Sequence, residues 1–276
     1  MAEGPIINVL CEGDEDRALA AAVIRDAAFA GVLKVEKLPD ADRRRLPDGM
    51  EGLADRAALY VPTARGELGG RVVVLRDLDG DALPAVHAWF EMRLRAAVGP
   101  GDAESVVTRE PTGDDERVSL FRVRRRGIEG RVALVGVGLP EARERHFGVV
   151  QYTSDDYVLR ALLDPVVYRA AQLAERDNEF RRIDGAVALH KLRRVIEVLR
   201  DAADGGAIPV EQSKRVTQIF RGLTDFRASN ATFTERVLKA VSSHPVEEDG
   251  AALWRPLRDD LLAAVRKLRA PSATPN

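Results

Sequence analysis

The sequence is poor in residues that build covalent or metal staples. Among 276 residues there is one cysteine, Cys11, and there are four scattered histidines, His87, His146, His190 and His244. A single cysteine excludes an internal disulfide and fits a reducing, cytoplasmic compartment. So few thiols and imidazoles also exclude a zinc-binding module of the usual four-ligand kind. Cys11 falls at the end of an apolar strand and reads as a small buried residue rather than a nucleophile. Aromatic residues make up 5% of the chain, too few for a platform on which single-stranded bases stack. No apolar run reaches the roughly 18 residues of a membrane span. The N-terminus has neither the charged nor the apolar region of a secretory signal. An excess of one charge is missing too: the net charge is −2, which leaves room for a local basic face but does not call for one. There is no Walker A loop, Gly-x-Ser-x-Gly elbow or His-Glu-x-x-His stretch, so any ATPase acting with this protein is a separate subunit.

What is present is a soluble composition, 45% hydrophobic and 31% charged, long enough for one large domain or two ordinary ones. Residues 1–150 alternate strand and helix patterns. Strands are expected at 5–11, 32–38, 72–75, 105–109, 118–124 and 131–139. Helices are expected from Asp14, as N-cap, to 30, at 50–60 and at 82–98. Such alternation predicts an α/β domain, a mainly parallel sheet flanked by helices. From 151 to 276 the pattern becomes helical, with segments at 155–175, 179–202, 209–223, 229–243 and 251–269. The expected organisation is therefore an α/β domain, 1–150, followed by a C-terminal all-helical module, 151–276.

Two acidic turns close two of the expected strands. Glu12-Gly13-x-x-Asp16 follows the first, and Asp77-x-Asp79-Gly80-Asp81 follows the run Val72-Val-Val-Leu75. In open α/β sheets ligands bind at the carboxyl ends of the strands. Carboxylates crowded there repel one another unless a cation or protons intervene, and hard oxygen donors suit Mg²⁺ or Mn²⁺. The same residues also read as solvated strand-to-helix turns, and the residues alone leave both readings open.

Taken together the two turns resemble the TOPRIM domain of topoisomerases, primases, recombination mediators and overcoming-lysogenization-defect nucleases. There one strand ends in Glu-Gly, often with Asp three residues on, and a later strand ends in Asp-x-Asp. The segment Gln151-Tyr-Thr-Ser-Asp-Asp-Tyr-Val-Leu159 looks like a third motif of stand-alone TOPRIM-like proteins, with Asp155 or Asp156 in place of the usual Glu; alternatively Ser154 and Asp155 only cap a helix. The resemblance covers about residues 5–160. It implies a Mg²⁺- or Mn²⁺-dependent endonuclease, a nucleic-acid phosphodiesterase working in bacterial antiviral defence or repair. By it, Glu12, Asp16 and Asp77 are catalytic. Glu12, Asp77, Asp79, Asp81, Asp155 and Asp156 are the metal ligands.

Nucleic-acid contacts are assigned to Arg122, Arg124, Arg125 and Arg126, and to Arg181 and Arg182, which as a bland reading are solvated faces paired with nearby acids. None of the tyrosines Tyr60, Tyr152, Tyr157 and Tyr168 stands in a nucleophile's context, and Tyr157 reads as core. Hydrolysis is therefore expected rather than strand passage. Two other functions compete: a non-catalytic TOPRIM-like interaction module, and a different Mg²⁺-dependent phosphohydrolase of haloacid-dehalogenase type. The latter normally carries its Asp-x-Asp on the first strand, with Thr or Val where Asp81 stands. DNA or RNA as substrate, and the oligomeric state, are left open by the sequence.

Overall fold

The run Arg71–Asp77 forms a strand, β3, whose central residues Val72 to Leu75 are fully buried. Consecutive apolar side chains point to both faces of a strand, so this one must be covered on both sides. The computed structural model describes residues 6–36, 50–63, 70–79, 81–99, 106–110, 117–125, 128–138, 153–163 and 255–270, with short helical pieces at 194, 217–218, 232–235 and 237–238. The other strands are β1 (Ile7–Leu10), β2 (Leu33–Val35), β4 (Val106–Arg109), β5 (Val118–Arg125) and β6 (Ile128–Val137). They form one six-stranded sheet in the order β2-β1-β3-β6-β5-β4.

β1 is parallel to both of its neighbours, with Val9 level with Val35 on one side and Val73 on the other. β4, β5 and β6 form an antiparallel meander. β6 joins β3 through the Arg131 N–H, which donates to Gly70 O (2.8 Å) at the start of both strands. At their far ends Gly136 lies against Leu78, so β3 and β6 run in the same sense. The sheet is therefore mixed, with β5 alone running against the rest. The pairing Arg125↔Ile128 leaves two residues between β5 and β6, a connection short enough only for an antiparallel hairpin.

Five helices of the described residues matter here: α1 (Asp14–Val23), α2 (Met50–Thr63), α3 (Leu83–Val98), α4 (Ser154–Leu163) and α5 (Arg255–Arg269). The path β1-α1-β2 steps one way across the sheet and β2-α2-β3 steps back. Right-handed crossovers then put α1 and α2 on opposite faces. α3 packs beside α2 and over β4 and β5. Its Phe90 meets Phe121 of β5 with ring centroids 5.5 Å apart and tilted by 52°. α1 begins at Gly13 as N-cap, one residue before the expected Asp14, and stops at Val23, with a 3₁₀ turn at Ala27–Phe29 carrying the chain on to β2.

The chain divides into two compact units. One is Met1–Gly136 together with Leu257–Asn276; the other is Val137–Pro256. The break lies at 136 and again at 256, where the sequence pattern pointed to a single change near 150. α5 belongs to the α/β unit. Its buried stripe of Leu257, Leu261, Ala264, Val265 and Leu268 has the helical spacing of a core-facing surface. Arg258 pairs with Asp26 (2.6 Å) and Asp260 with Arg117 (2.9 Å). Arg131 donates to Lys267 O (3.2 Å) and Ala270 O (2.5 Å), supplying the partners that the last carbonyls of a helix lack. Arg117 also donates to Gly136 O (2.9 Å). One guanidinium thus holds the residue where the chain leaves this unit and the first turn after it returns.

In the second unit Tyr157 is fully buried and its hydroxyl donates to Gly138 O (3.3 Å). Phe233, Val237 and Leu238 are buried as well. Most of the expected helices at 179–202, 209–223 and 229–243 lie outside the described residues. No helix among the described residues is long and apolar enough to cross a membrane.

His87 of α3 is buried and accepts a hydrogen bond at Nδ1 from Arg109 Nη2 (3.2 Å). An arginine only donates, so the ring proton sits on Nε2. Burial, and then the Arg109 charge, push its pKa down to about 4. The unfolded chain takes up a proton near pH 6.5 and the folded chain does not until about pH 4. Stability from neutral His87 is complete above pH 6.5 and is lost as the pH falls toward 4, at up to about 1.4 kcal/mol per pH unit. Urea midpoints measured from pH 7 to pH 5 are expected to fall more steeply in the wild type than in His87→Gln; equal slopes would contradict this account.

Candidate functional site

The register of two neighbouring strands makes the site. Leu10 of β1 is level with Val74 of β3. β1 ends at Leu10 and β3 at Asp77, so the Glu12–Gly13 bend and the turn after Asp77 follow neighbouring parallel strands. Adjacent strands lie about 4.8 Å apart. The two acidic turns, sixty-odd residues apart in sequence, therefore leave the same edge of the sheet side by side.

Glu12 stands between two pinned peptide groups. On its amino side, Arg56 of α2 donates through Nη2 to Cys11 O (2.5 Å), and that carbonyl shares a plane with the Glu12 N–H. On its carboxyl side, the Gly13 N–H donates to Asp16 Oδ2 (2.9 Å), which fixes the Glu12–Gly13 plane. This second bond is half of a capping box; glycine has no side chain to return the other half. Asp16 is buried, and its visible work is to cap α1 and hold the turn. The Glu12 side chain is half-buried, with Oε2 enclosed.

At the end of β3 the residues alternate in burial. Asp77 is half-buried, Leu78 is buried, and Asp79 and Asp81 are exposed. Leu78 is the anchor. It seats over Gly136 of β6, where an added Cβ would stand 2.8 Å from Leu78 Cδ2 and 3.1 Å from Leu83 Cδ2. The Asp81 N–H returns to Leu78 O (2.7 Å), closing a tight turn. Asp79 sits in that turn at φ +49°, the one described non-glycine residue in the left-handed region, where short Asp and Asn side chains are best tolerated. Arg76 is buried, donates to Asp77 O (2.9 Å) and lies 4.9 Å over the Trp89 ring.

Three residues at this edge escaped the sequence reading: Arg56, Glu36 and Arg76. Arg56 and Glu36 form a buried ion pair (3.4 Å), and the Glu36 N–H donates to Val9 O (2.9 Å). An Arg and a Glu twenty residues apart give no signal in a sequence with 31% charged residues. Cys11 is buried, and burial followed by the nearby Asp16 charge drives its thiol pKa far up. A thiol held protonated by burial is a poor nucleophile.

The other expected residues are placed as follows. Asp155 and Asp156 begin α4, in the second unit. Asp156 is buried and its Oδ2 accepts the Thr153 N–H (3.1 Å), the same capping device that Asp16 provides at α1. Arg122 pairs with Glu110 (3.3 Å) and Glu129 (3.5 Å), so its charge is spent within the sheet. Arg124 is exposed. Arg125 lies in β5, and Arg126, Arg181 and Arg182 lie outside the described residues.

Among the described residues no three His, Cys, Asp or Glu side chains converge as an all-protein metal cage. The donors present fit a more open arrangement. Mg²⁺ retains several waters and is commonly held by one or two carboxylates plus substrate phosphate oxygens. Glu12 and Asp77, which follow adjacent strands, are hard oxygen donors of the type such an arrangement uses.

Comparison of the chain with protein-family models, curated proteins and solved structures returned no match.

Leu78 and the Asp79 backbone set where the acidic turn sits. Leu78→Ala is expected to cost about 2–4 kcal/mol in chemical denaturation. Asp79→Ala is expected to be about 1 kcal/mol less stable than Asp79→Gly, which accepts positive φ. Equal stability of the two Asp79 variants would contradict the assigned backbone.

Proposed function

We propose that the protein is a Mg²⁺- or Mn²⁺-dependent nucleic-acid phosphodiesterase of TOPRIM type. The observation that supports the reading is the parallel β1–β3 pairing, which brings Glu-Gly and Asp-x-Asp to one sheet edge. A divalent ion there would polarise a phosphate oxygen and lower the pKa of an attacking water. Glu12 and Asp77 would hold it, and Asp79 would complete the donor set from the exposed side of the turn. Asp16 supports the site by fixing Glu12, and Asp81 closes the turn.

Glu12 and Asp77 are both half-buried, and the substrate read for this edge is a nucleic-acid backbone. Its phosphates would supply the remaining oxygens. Among the described residues of the basic set, Arg124 is exposed and would contact phosphate, an interaction that weakens as salt rises. A separate ATPase subunit and a role in bacterial defence or repair belong to the same proposal and rest on the resemblance.

The competing reading, a non-catalytic interaction module, draws on one observation: the described carboxylates form no closed cage. The two readings part on activity. Purified protein is expected to nick plasmid or cleave tRNA with Mg²⁺ or Mn²⁺ and to stop with EDTA. Asp77→Ala and Glu12→Ala are each expected to lose at least 100-fold. Metal-independent cleavage, or cleavage surviving both substitutions, would overturn the proposal.

A further inference from the structure

Arg56 and Glu36 are each more than nine-tenths buried, yet their ion pair is incomplete. Arg56 Nη1 meets Glu36 Oε2 at 3.4 Å, a long contact. Arg56 Nε and Glu36 Oε1 are buried without a hydrogen-bond partner among the described residues. Burial pulls the Arg56 pKa down, and the Glu36 charge only partly opposes this. Buried charges with unsatisfied atoms are poor sources of stability; apolar residues of similar volume commonly do as well or better. The short contact that Arg56 does make, 2.5 Å, is to Cys11 O, the carbonyl whose peptide plane carries the Glu12 N–H.

We propose that Arg56 is a positioning residue for Glu12, its guanidinium fixing the Cys11–Glu12 peptide so that the Glu12 carboxylate meets the ion shared with Asp77; this rests on the metal-site reading above. Glu36 serves Arg56. It sits at the end of β2, tied to β1 through Val9 O, and holds the guanidinium at the level of Cys11. With Asp16 pinning the next peptide plane, neither flanking peptide of Glu12 is free to rotate. Residues that orient metal ligands in this way typically contribute 10–100-fold in metal affinity.

The test separates position from stability by measuring Mn²⁺ affinity by electron paramagnetic resonance beside thermal midpoints. Arg56→Met/Glu36→Leu removes the whole ion pair and the clamp. It is expected to melt at or above the wild-type temperature and to bind Mn²⁺ at least tenfold more weakly. Glu36→Gln leaves the Arg56 donor on Cys11 O and is expected to keep Mn²⁺ affinity within about twofold, whatever its melting temperature. If the double variant does not fold, Arg56→Met/Glu36→Gln gives the same readout, with the clamp removed and a neutral amide in place of the buried carboxylate. A tenfold loss supports the clamp and wild-type affinity overturns it. A folded double variant with unchanged Mn²⁺ affinity overturns the positioning role alone. A wild type that binds no Mn²⁺ overturns the metal-site reading and this proposal together.

Discussion

The parallel pairing of β1 with β3 is the constraint on which the rest of the site depends. Parallel strands send their carboxyl ends to the same edge, and the register Leu10↔Val74 sets how far each projects. A slip of one residue would turn every side chain of one strand to the other face. The buried runs on both strands make such a slip costly. Valines 72 to 74 are wholly enclosed, and so are Val9 and Leu10. The apolar core thus fixes the placement of polar groups that contribute nothing to it.

Around that edge, each turn is held by a specific contact. Leu78 wedges over a glycine that has no room for a methyl group. Asp79 keeps a left-handed backbone, at about 1 kcal/mol for a residue with a Cβ. Arg56 and Glu36 place charge in the interior with incomplete hydrogen bonding. Such local departures concentrate where a fold must hold groups in a set geometry. Elsewhere in the same unit Arg258 pairs with Asp26, and Arg131 caps α5.

Much of the α/β unit was legible in the sequence. The strands at 72–75, 118–124 and 131–139 and the helices at 50–60 and 82–98 announce themselves by apolar runs and helical spacing. The acidic strand ends could be found in the same way. What could not be read was adjacency: nothing local to Glu12 or Asp77 says that β1 and β3 are neighbours. The return of α5 to the first unit was hidden for a related reason. Its stripe from Leu257 to Leu268 shows that one face is buried but does not name the surface that covers it. The partners of Arg122 were hidden in the same way. Arg122 looks free in a basic stretch, yet its partners Glu110 and Glu129 come from neighbouring strands.

The central claim is that Glu12 and Asp77 share one divalent ion at the carboxyl edge of β1 and β3. Its most direct test is anomalous diffraction from crystals soaked in Mn²⁺. The account predicts a single strong peak, or a close pair, between the two carboxylates, absent from crystals of Asp77→Asn. Crystals with an open edge and no peak there, or with the ion elsewhere, would contradict it.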